Sequence, residues 1–366
     1  MLGRITVFGG AGSSGSHLAA LFQLTNRLRC IVDPRASELE KHIVINYKGS
    51  DSPEHIQLSS EQLRTPDRIL PSNDFLTVVA TKNFSLAQKL ADDIIRSRTS
   101  DCKTPILVLS SGLHPWIHPK LLSSAITPAT QFKTRLDAEN IPIITGVINY
   151  PASRKDSSIN IGVPKNRVAE VGVTIAESPN SSAIQEAFKT AGIGCTIKET
   201  AQQVAFDKIA DMLPIGILAI MDETFVNAAN PQLFVGKVTE ALLKEYSAIA
   251  KTIGISIDLP NTGALMQAKG AFKGSMHADL ARGHRTEKGI YEDLITFASQ
   301  AGIATPVLKK LSDMLMLAES NPNELANLRT KIALAQSSSD FLAITTTPGI
   351  LYGTSVSKVG SLVNAL

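Results

Sequence analysis

Residues 4–18, Arg4-Ile5-Thr6-Val7-Phe8-Gly9-Gly10-Ala11-Gly12-Ser13-Ser14-Gly15-Ser16-His17-Leu18, constrain the fold more than any other stretch. Ile5 to Phe8 form a short run rich in β-branched residues, as expected of a buried strand. Gly9 to Gly15 hold no bulky side chain, and Leu18, Ala19, Leu21 and Phe22 begin an apolar pattern with helical spacing. A strand, a glycine turn and a helix in that order open a dinucleotide-binding unit. The glycines allow a tight turn and a close approach of backbone to a pyrophosphate, whose charge then faces the helix N-terminus. Gly9, Gly10, Ala11, Gly12, Ser13, Ser14 and Gly15 are therefore candidate cofactor contacts. The competing reading is an ordinary tight turn between a strand and a helix.

The following residues extend the pattern. Leu28 to Val32 read as a second parallel strand ending at Asp33-Pro34-Arg35. At this place an acid accepts hydrogen bonds from a free ribose 2′-hydroxyl, whereas an arginine pairs with the 2′-phosphate of NADP. The chain offers both, and Arg35 favours NADP, although Asp33 pointing inward would repel the phosphate. Residues 36–72 are polar, with one strand-like run at Ile43 to Tyr47. Phe75 to Ala80 read as a further strand ending at Thr81-Lys82, Leu86 to Ile95 as a helix, and Ile106 to Leu109 as a strand ending at Ser110-Ser111-Gly112. Alternating strands and helices predict a doubly wound parallel sheet of Rossmann type, with ligands at the carboxyl ends of the strands. Lys82, Ser110, Ser111 and Gly112 would then lie near the nicotinamide half of the cofactor.

Four more strand-like runs follow: Ile143 to Val147, Ser158 to Val163, Val168 to Ile175 and Cys195 to Lys198. From Thr200 long helical patterns take over, over Ala201–Phe225, Leu233–Ile253 and Thr262–Ala301. The expectation is an α/β chain with a dinucleotide-binding domain over 1–199 and an all-helical domain over 200–366. A substrate would sit in the cleft between two such domains.

Charge and cysteines narrow the function further. A net charge of +3 on 366 residues is too small and too evenly spread for a nucleic-acid or membrane surface. The longest apolar run, Met212 to Met221, contains Pro214 and Gly216 and is too short to span a bilayer. The first strand begins close to Met1, so no targeting peptide is expected ahead of it. Cys30, Cys102 and Cys195 are far apart and odd in number, which predicts reduced thiols and a cytoplasmic location, not disulfides or zinc. His114 and His118 stand four apart in His-Pro-Trp-Ile-His-Pro, but Pro115 and Pro119 argue against a helix there. They read as loop residues near Trp116, and no metal is expected.

Two segments carry groups suited to chemistry. Lys208 sits among apolar residues in Phe206-Asp207-Lys208-Ile209, where partial burial can tune a lysine for acid–base work. The bland alternative pairs it with Asp207 or Asp211. The second segment is Lys273-Gly274-Ser275-Met276-His277-Ala278-Asp279-Leu280-Ala281-Arg282-Gly283-His284-Arg285-Thr286-Glu287. It too has a bland reading, as a solvated helix face with Asp279–Arg282 pairing. His277 and His284 within it have no assigned role.

Together with the glycine turn, the Val79-Ala80-Thr81-Lys82 strand end and Ala301-Gly302-Ile303-Ala304-Thr305-Pro306, these segments resemble the ketopantoate reductase (2-dehydropantoate 2-reductase) family up to about Leu311. The spacing of Ser275-Met276, Asp279 and Arg285-Thr286-Glu287 is the most specific part. The resemblance implies NADPH-dependent reduction of a small 2-keto acid, with 2-dehydropantoate the first candidate, and a homodimer. Lys208 matches the family's catalytic lysine, Ser275 the serine that binds the substrate carboxylate, and Glu287 the acid that orients the substrate. Lys82 and Ser111 fall in stretches the family uses near nicotinamide and substrate.

The chain departs from that pattern in four places. Met212 stands where the family has a substrate-side asparagine, and Ser111-Gly112 where it has Asn-Gly. The glycine turn is one residue longer, and the tail beyond about residue 317 has no counterpart. A reductase for a different ketone, or a non-catalytic NADP-binding sensor, remains an alternative on this scaffold. A short-chain dehydrogenase does not, because none of Tyr47, Tyr150, Tyr246, Tyr291 and Tyr352 is followed four residues later by lysine.

Overall fold

The computed structural model describes residues 3–81, 87–117, 127–283 and 286–344. Its strands are β1 (Ile5–Phe8), β2 (Leu28–Val32), β3 (His42–Tyr47), β4 (Glu54–Gln57), β5 (Leu63–Arg64) and β6 (Leu76–Val79), followed by β7 (Ile106–Leu109), β8 (Ile143–Ile148), β9 (Ala152–Lys155), β10 (Ser158–Ile161), β11 (Val173–Ala176) and β12 (Cys195–Lys198). Helices α1 (Ser13–Leu24), α2 (Gln88–Arg96), α3 (Pro128–Asp137), α4 (Lys165–Val171) and α5 (Ser181–Thr190) are interleaved with them, and α6 (Ala201–Met212) follows. The chain separates into two compact units: Met1–Ala210 with Ala250–Ile257, and Asp211–Ile249 with Asp258–Leu366.

The first unit is built on an eight-stranded sheet in the order β12-β11-β8-β7-β6-β1-β2-β5. From β8 to β5 every neighbouring pair is parallel, while β11 runs antiparallel to β8. Side chains alternate between two apolar layers, as the period of two demands. Ile5, Val7, Val78 and Leu107 pack with Leu18, Phe22 and Phe188 on one face. Phe8, Val79 and Val108 pack with Ile94, Phe132 and Leu136 on the other. This is the doubly wound sheet that the sequence predicts.

One local expectation is revised. The run Val168 to Ile175 is not one strand, because Pro164 caps α4 and Gly172 separates it from β11. A Cβ at Gly172 would lie 2.4 Å from Ile193 Cγ2, so the chain turns there at glycine only. The run Ser158 to Val163 contributes β10, which forms a hairpin with β9 and joins β3 and β4 in a second sheet, β4-β3-β10-β9. His17 of α1 is fully buried and sits between two phenols, with Nδ1 at 2.9 Å from Tyr150 Oη and Nε2 at 3.1 Å from Tyr47 Oη. It ties α1 to β3 of the second sheet.

The second unit contains α7 (Ile215–Met221), α8 (Phe225–Ala228), α9 (Phe234–Lys251), α10 (Leu259–Lys269), α11 (Ser275–Ala281), α12 (Gly289–Gln300), α13 (Pro306–Ser320), α14 (Pro322–Ala333) and α15 (Ser338–Ala343). The long pattern over Ala201–Phe225 is thus interrupted at Leu213-Pro214 and again at Asp222, which takes a left-handed φ of 62°. α7 is almost wholly buried and touches α11, α13 and α14. The tail beyond residue 317 is part of this unit. Arg329 donates to the carbonyls of Ile220 (2.8 Å) and Ala219 (3.2 Å) near the end of α7, and Leu328, Ile332 and Phe341 are buried. Cys30, Cys102 and Cys195 are buried free thiols, and no described helix is long and apolar enough to cross a membrane.

Burial pushes His17 from its ordinary pKa down to about 3, and does the same to His114. The unfolded chain therefore binds these protons first, so stability is full above about pH 6.5 and falls as the pH drops toward 3, at up to about 1.4 kcal/mol per pH unit per histidine. His17→Gln should remove one proton's share of that slope in denaturant titrations between pH 7 and 4.5. An unchanged slope would contradict the buried neutral imidazole.

Candidate active site

The glycine turn is shaped by two different demands. At Gly9, with φ +75°, a Cβ would lie 2.5 Å from the Ala80 carbonyl oxygen. At Gly10 it would lie 2.3 Å from Ile31 Cγ2, and at Gly15 2.5 Å from the Gly9 carbonyl oxygen. These three glycines are required by the chain's own packing. Gly12 is not. It is the extended N-cap of α1, and a Cβ there would meet nothing nearer than the Gly9 oxygen at 3.5 Å. No side chain caps this end of α1, and its first turn holds no acid. An open glycine beside an uncapped helix N-terminus fits the diphosphate of a dinucleotide, which brings anionic acceptors to the free N–H groups. Ser13 and Ser14 lie half-buried in that first turn.

Asp33 and Arg35 meet the same turn. Asp33 is buried, and both its oxygens are engaged: Oδ2 accepts from Ala11 N–H at 3.1 Å, and Oδ1 from the Arg35 backbone N–H (3.0 Å) and Nε (3.2 Å). The carboxylate thus fastens the turn and offsets Arg35, whose side chain remains 60% exposed. Sequence reasoning missed Arg154 of β9. Its Nη1 lies 2.6 Å from Ser16 Oγ and 3.3 Å from the Ala11 carbonyl. No local pattern could have flagged it, because the contact joins positions more than a hundred residues apart.

The ends of β1, β6 and β7 lie side by side in a parallel sheet, so Gly9, Thr81 and Ser110-Ser111-Gly112 share one sheet edge. Lys82 lies outside the described residues, as do His118, His284 and Arg285. Ser110 is buried, Ser111 is half-buried, and Gly112 takes a φ of 142°. His114 stacks on Trp116 with ring centroids 4.4 Å apart and planes at 13°. Its ring nitrogens, Trp116 Nε1, Ser110 Oγ and Thr145 Oγ1 are buried with no hydrogen-bond partner among the described residues. Among the described residues no group of three potential ligands could hold a metal.

The remaining predicted residues are on helices. α6 carries Lys208, half-buried, and Met212, buried, four positions apart and so on one helix face. The two acids offered as local partners for Lys208 also bind further groups. Asp207 accepts from Gln203 Nε2 at 2.6 Å, and Asp211 pairs with Lys269 Nζ at 2.5 Å.

In the second unit Ser275 is exposed at the start of α11, directly after Gly274. Gly274 has φ +90° and is packed so that a Cβ would lie 2.8 Å from Ile215 Cγ2 of α7. Asp222 brackets the serine by accepting from Lys273 Nζ and His277 Nε2, both at 2.6 Å. The hydrogen bond from Lys273, followed by that from His277, holds its carboxyl below the usual range.

Half-buried Glu287 is fixed from both sides. Thr286 donates through its N–H (2.7 Å) and hydroxyl (2.5 Å) to Glu319 Oε1 of α13. Tyr291 Oη accepts from Gly216 N–H and donates to the Leu213 carbonyl, both at 2.9 Å. Gly274, next to Ser275, and Tyr291, four residues after Glu287, thus both meet α7 or its start.

Residues 194–319 match the model of the ketopantoate reductase PanE/ApbA C-terminal domain. That segment is therefore similar to the C-terminal domain of ketopantoate reductases. Solved structures with the same overall fold include 2-dehydropantoate 2-reductase from Geobacter metallireducens, at 19% identity and TM-score 0.68, covering 86% of this chain and 99% of that one. The dimeric ketopantoate reductase of Staphylococcus aureus matches at 14% identity and TM-score 0.64, over 88% and 99% of the two chains. A D-mandelate dehydrogenase solved with NADH and anilino(oxo)acetate matches at 16% identity and TM-score 0.66, over 87% and 100%. No curated protein matches the sequence. At these identities the likeness is one of fold. The matched segment ends at Glu319, the residue that receives both Thr286 hydrogen bonds.

Tyr291→Phe leaves the Gly216 N–H and the Leu213 carbonyl without their partner and should cost about 1–3 kcal/mol in a denaturant titration. Gly274→Ala should also destabilise the second unit, through its positive φ and the contact with Ile215. A Tyr291→Phe variant as stable as the parent would remove α12 from the anchoring of this site.

Proposed function

We propose that the protein is an NADPH-dependent oxidoreductase that reduces a small 2-keto acid to the 2-hydroxy acid, with 2-dehydropantoate the first candidate substrate. One observation carries the reading. A glycine turn left open at Gly12 occurs in the same chain as a segment similar to a ketopantoate reductase C-terminal domain, and that segment includes Lys208, Ser275 and Glu287.

The turn from Gly9 to Gly15 binds the cofactor diphosphate, with Gly12 admitting it and the first turn of α1 donating N–H groups. Lys82, Ser110 and Gly112 border the nicotinamide. Arg35 meets the 2′-phosphate of NADP, a role favoured by Asp33 being engaged with the turn and so not turned toward a free ribose hydroxyl. When bound, the reduced nicotinamide supplies a hydride to the keto carbon, and the carbonyl electron pair moves onto oxygen. The Lys208 ammonium stabilises that developing alkoxide and gives it a proton, leaving a neutral amine that is recharged from water. Ser275 donates a hydrogen bond to the substrate carboxylate, and Glu287 accepts hydrogen bonds from the substrate and orients it. Ser111 and Met212 line the substrate side.

Met212 favours a second substrate reading. A buried thioether in place of an amide offers apolar contact and no hydrogen bond, so a more apolar 2-keto acid than ketopantoate fits that face. The buried free cysteines accord with a reducing, cytoplasmic setting. A homodimer accords with the dimeric S. aureus relative.

Purified protein should oxidise NADPH in the presence of 2-dehydropantoate or a more apolar 2-keto acid. Lys208→Ala should lower kcat roughly 100-fold or more with NADPH binding unchanged, and Ser275→Ala should raise KM. Binding of NADPH without turnover across a broad 2-keto acid panel would point instead to a non-catalytic sensor.

A further inference from the structure

Arg154 stands out among the charged groups near the turn. It comes from β9, in the second sheet, yet its guanidinium reaches the Ala11 carbonyl and Ser16 Oγ beside the start of α1. Its other hydrogen bond goes from Nε to the Asp156 carbonyl at 2.7 Å. All three acceptors are neutral, Nη2 makes no hydrogen bond among the described residues, and no carboxylate there lies within ion-pair distance. A half-buried guanidinium whose hydrogen bonds all go to neutral acceptors is costly, and a helix N-terminus is the end that disfavours a cation. Burial lowers its pKa and the positive charge of Arg35 lowers it further, and the more distant charges of Glu40, Asp33 and Asp156 offset this only in part. An anion between the two guanidiniums would relieve both effects.

The strand order says which anion. β2 lies on one side of β1, and β6 and β7 on the other. Asp33 and Arg35 follow β2, on the side where dinucleotide folds seat the adenosine ribose. Arg154 belongs to that side, because both Asp33 and Arg35 are close enough to act on its charge. We propose that Arg154 and Arg35 together grip a phosphate on the adenosine ribose, so that the β9–β10 hairpin helps select the phosphorylated nicotinamide cofactor. This rests on the cofactor reading above and adds a residue from a separate sheet. Arg154 touches the cofactor phosphate and not the reacting atoms, so the hydride step does not depend on it.

The test is direct binding of NADPH and NADH, by nicotinamide fluorescence and calorimetry, to the parent, Arg154→Gln and Arg154→Lys proteins. Arg154→Gln should weaken NADPH roughly tenfold or more and leave NADH within about twofold, while Arg154→Lys should recover part of the loss. Adenosine 2′,5′-bisphosphate should lose affinity in parallel with NADPH, and ADP should not. Equal weakening of NADPH and NADH would assign Arg154 to the diphosphate and overturn the proposal, as would no change in either. If the parent protein binds neither cofactor, the cofactor reading itself fails. A circular-dichroism melt of Arg154→Gln matching the parent excludes unfolding as the cause of any loss.

Discussion

The contact between Gly15 and the Gly9 carbonyl, and that between Gly9 and the Ala80 carbonyl, set how closely α1 approaches the ends of β1 and β6. Any side chain at either position would push the helix away from the sheet. With both glycines in place, the N-terminus of α1 comes against the strand ends, and the rest of the first unit follows from that approach. Ile5 and Val7 reach Leu18 and Phe22 in one apolar layer. His17 is drawn between Tyr47 and Tyr150, and Ser16 is brought under Arg154 while its Oγ donates to the Gly10 carbonyl at 2.5 Å. Tight packing and an open face occur within seven residues. Three glycines serve the fold, and at Gly12 the packing makes no such demand.

The second unit solves a comparable problem with helices alone. α7 is short and buried, so it cannot satisfy its own ends, and its neighbours do it. Tyr291 bridges the Leu213 carbonyl and the Gly216 N–H at its start, and Arg329 takes the carbonyls of Ala219 and Ile220 at its end. Glu245 of α9 does the same for α13, accepting from Val307 and Leu308 N–H groups that Thr305 leaves uncapped. Burial raises the Glu245 pKa, and these two N–H donors work against the rise. The result is a rigid base under α11 and under the segment before α12, the two places that carry Ser275 and Glu287.

Much of this was legible in the sequence because it is local. A run of four strand residues, seven small ones and a helical apolar pattern define β1, the turn and α1 without outside help. The strand ends at Thr81 and Ser110 followed from the same alternation. Run length misled at Val168–Ile175, where apolar content suggested a strand but Pro164 and Gly172 impose a helix and then a break. Interactions between distant positions were not legible at all. Arg154 at the turn, Asp222 bracketing Ser275, and Glu319 holding Thr286 each depend on elements that only the folded chain brings together. Asp33 illustrates the difference: its identity left the cofactor open, whereas its hydrogen bonds show a carboxylate already engaged.

The central claim is that Gly12 is a glycine for the sake of a bound dinucleotide and not for the fold. Gly12→Val tests it most directly, measured as NADPH affinity together with the unfolding free energy of the ligand-free protein. The account predicts a stability loss of no more than about 1 kcal/mol, that of a poorer N-cap, because a Cβ at Gly12 makes only an ordinary contact with the Gly9 oxygen. It predicts in the same variant a fall in NADPH affinity of roughly 100-fold or more, since the added methyl groups occupy the approach to the diphosphate. Unchanged NADPH binding by a stably folded Gly12→Val protein would contradict it.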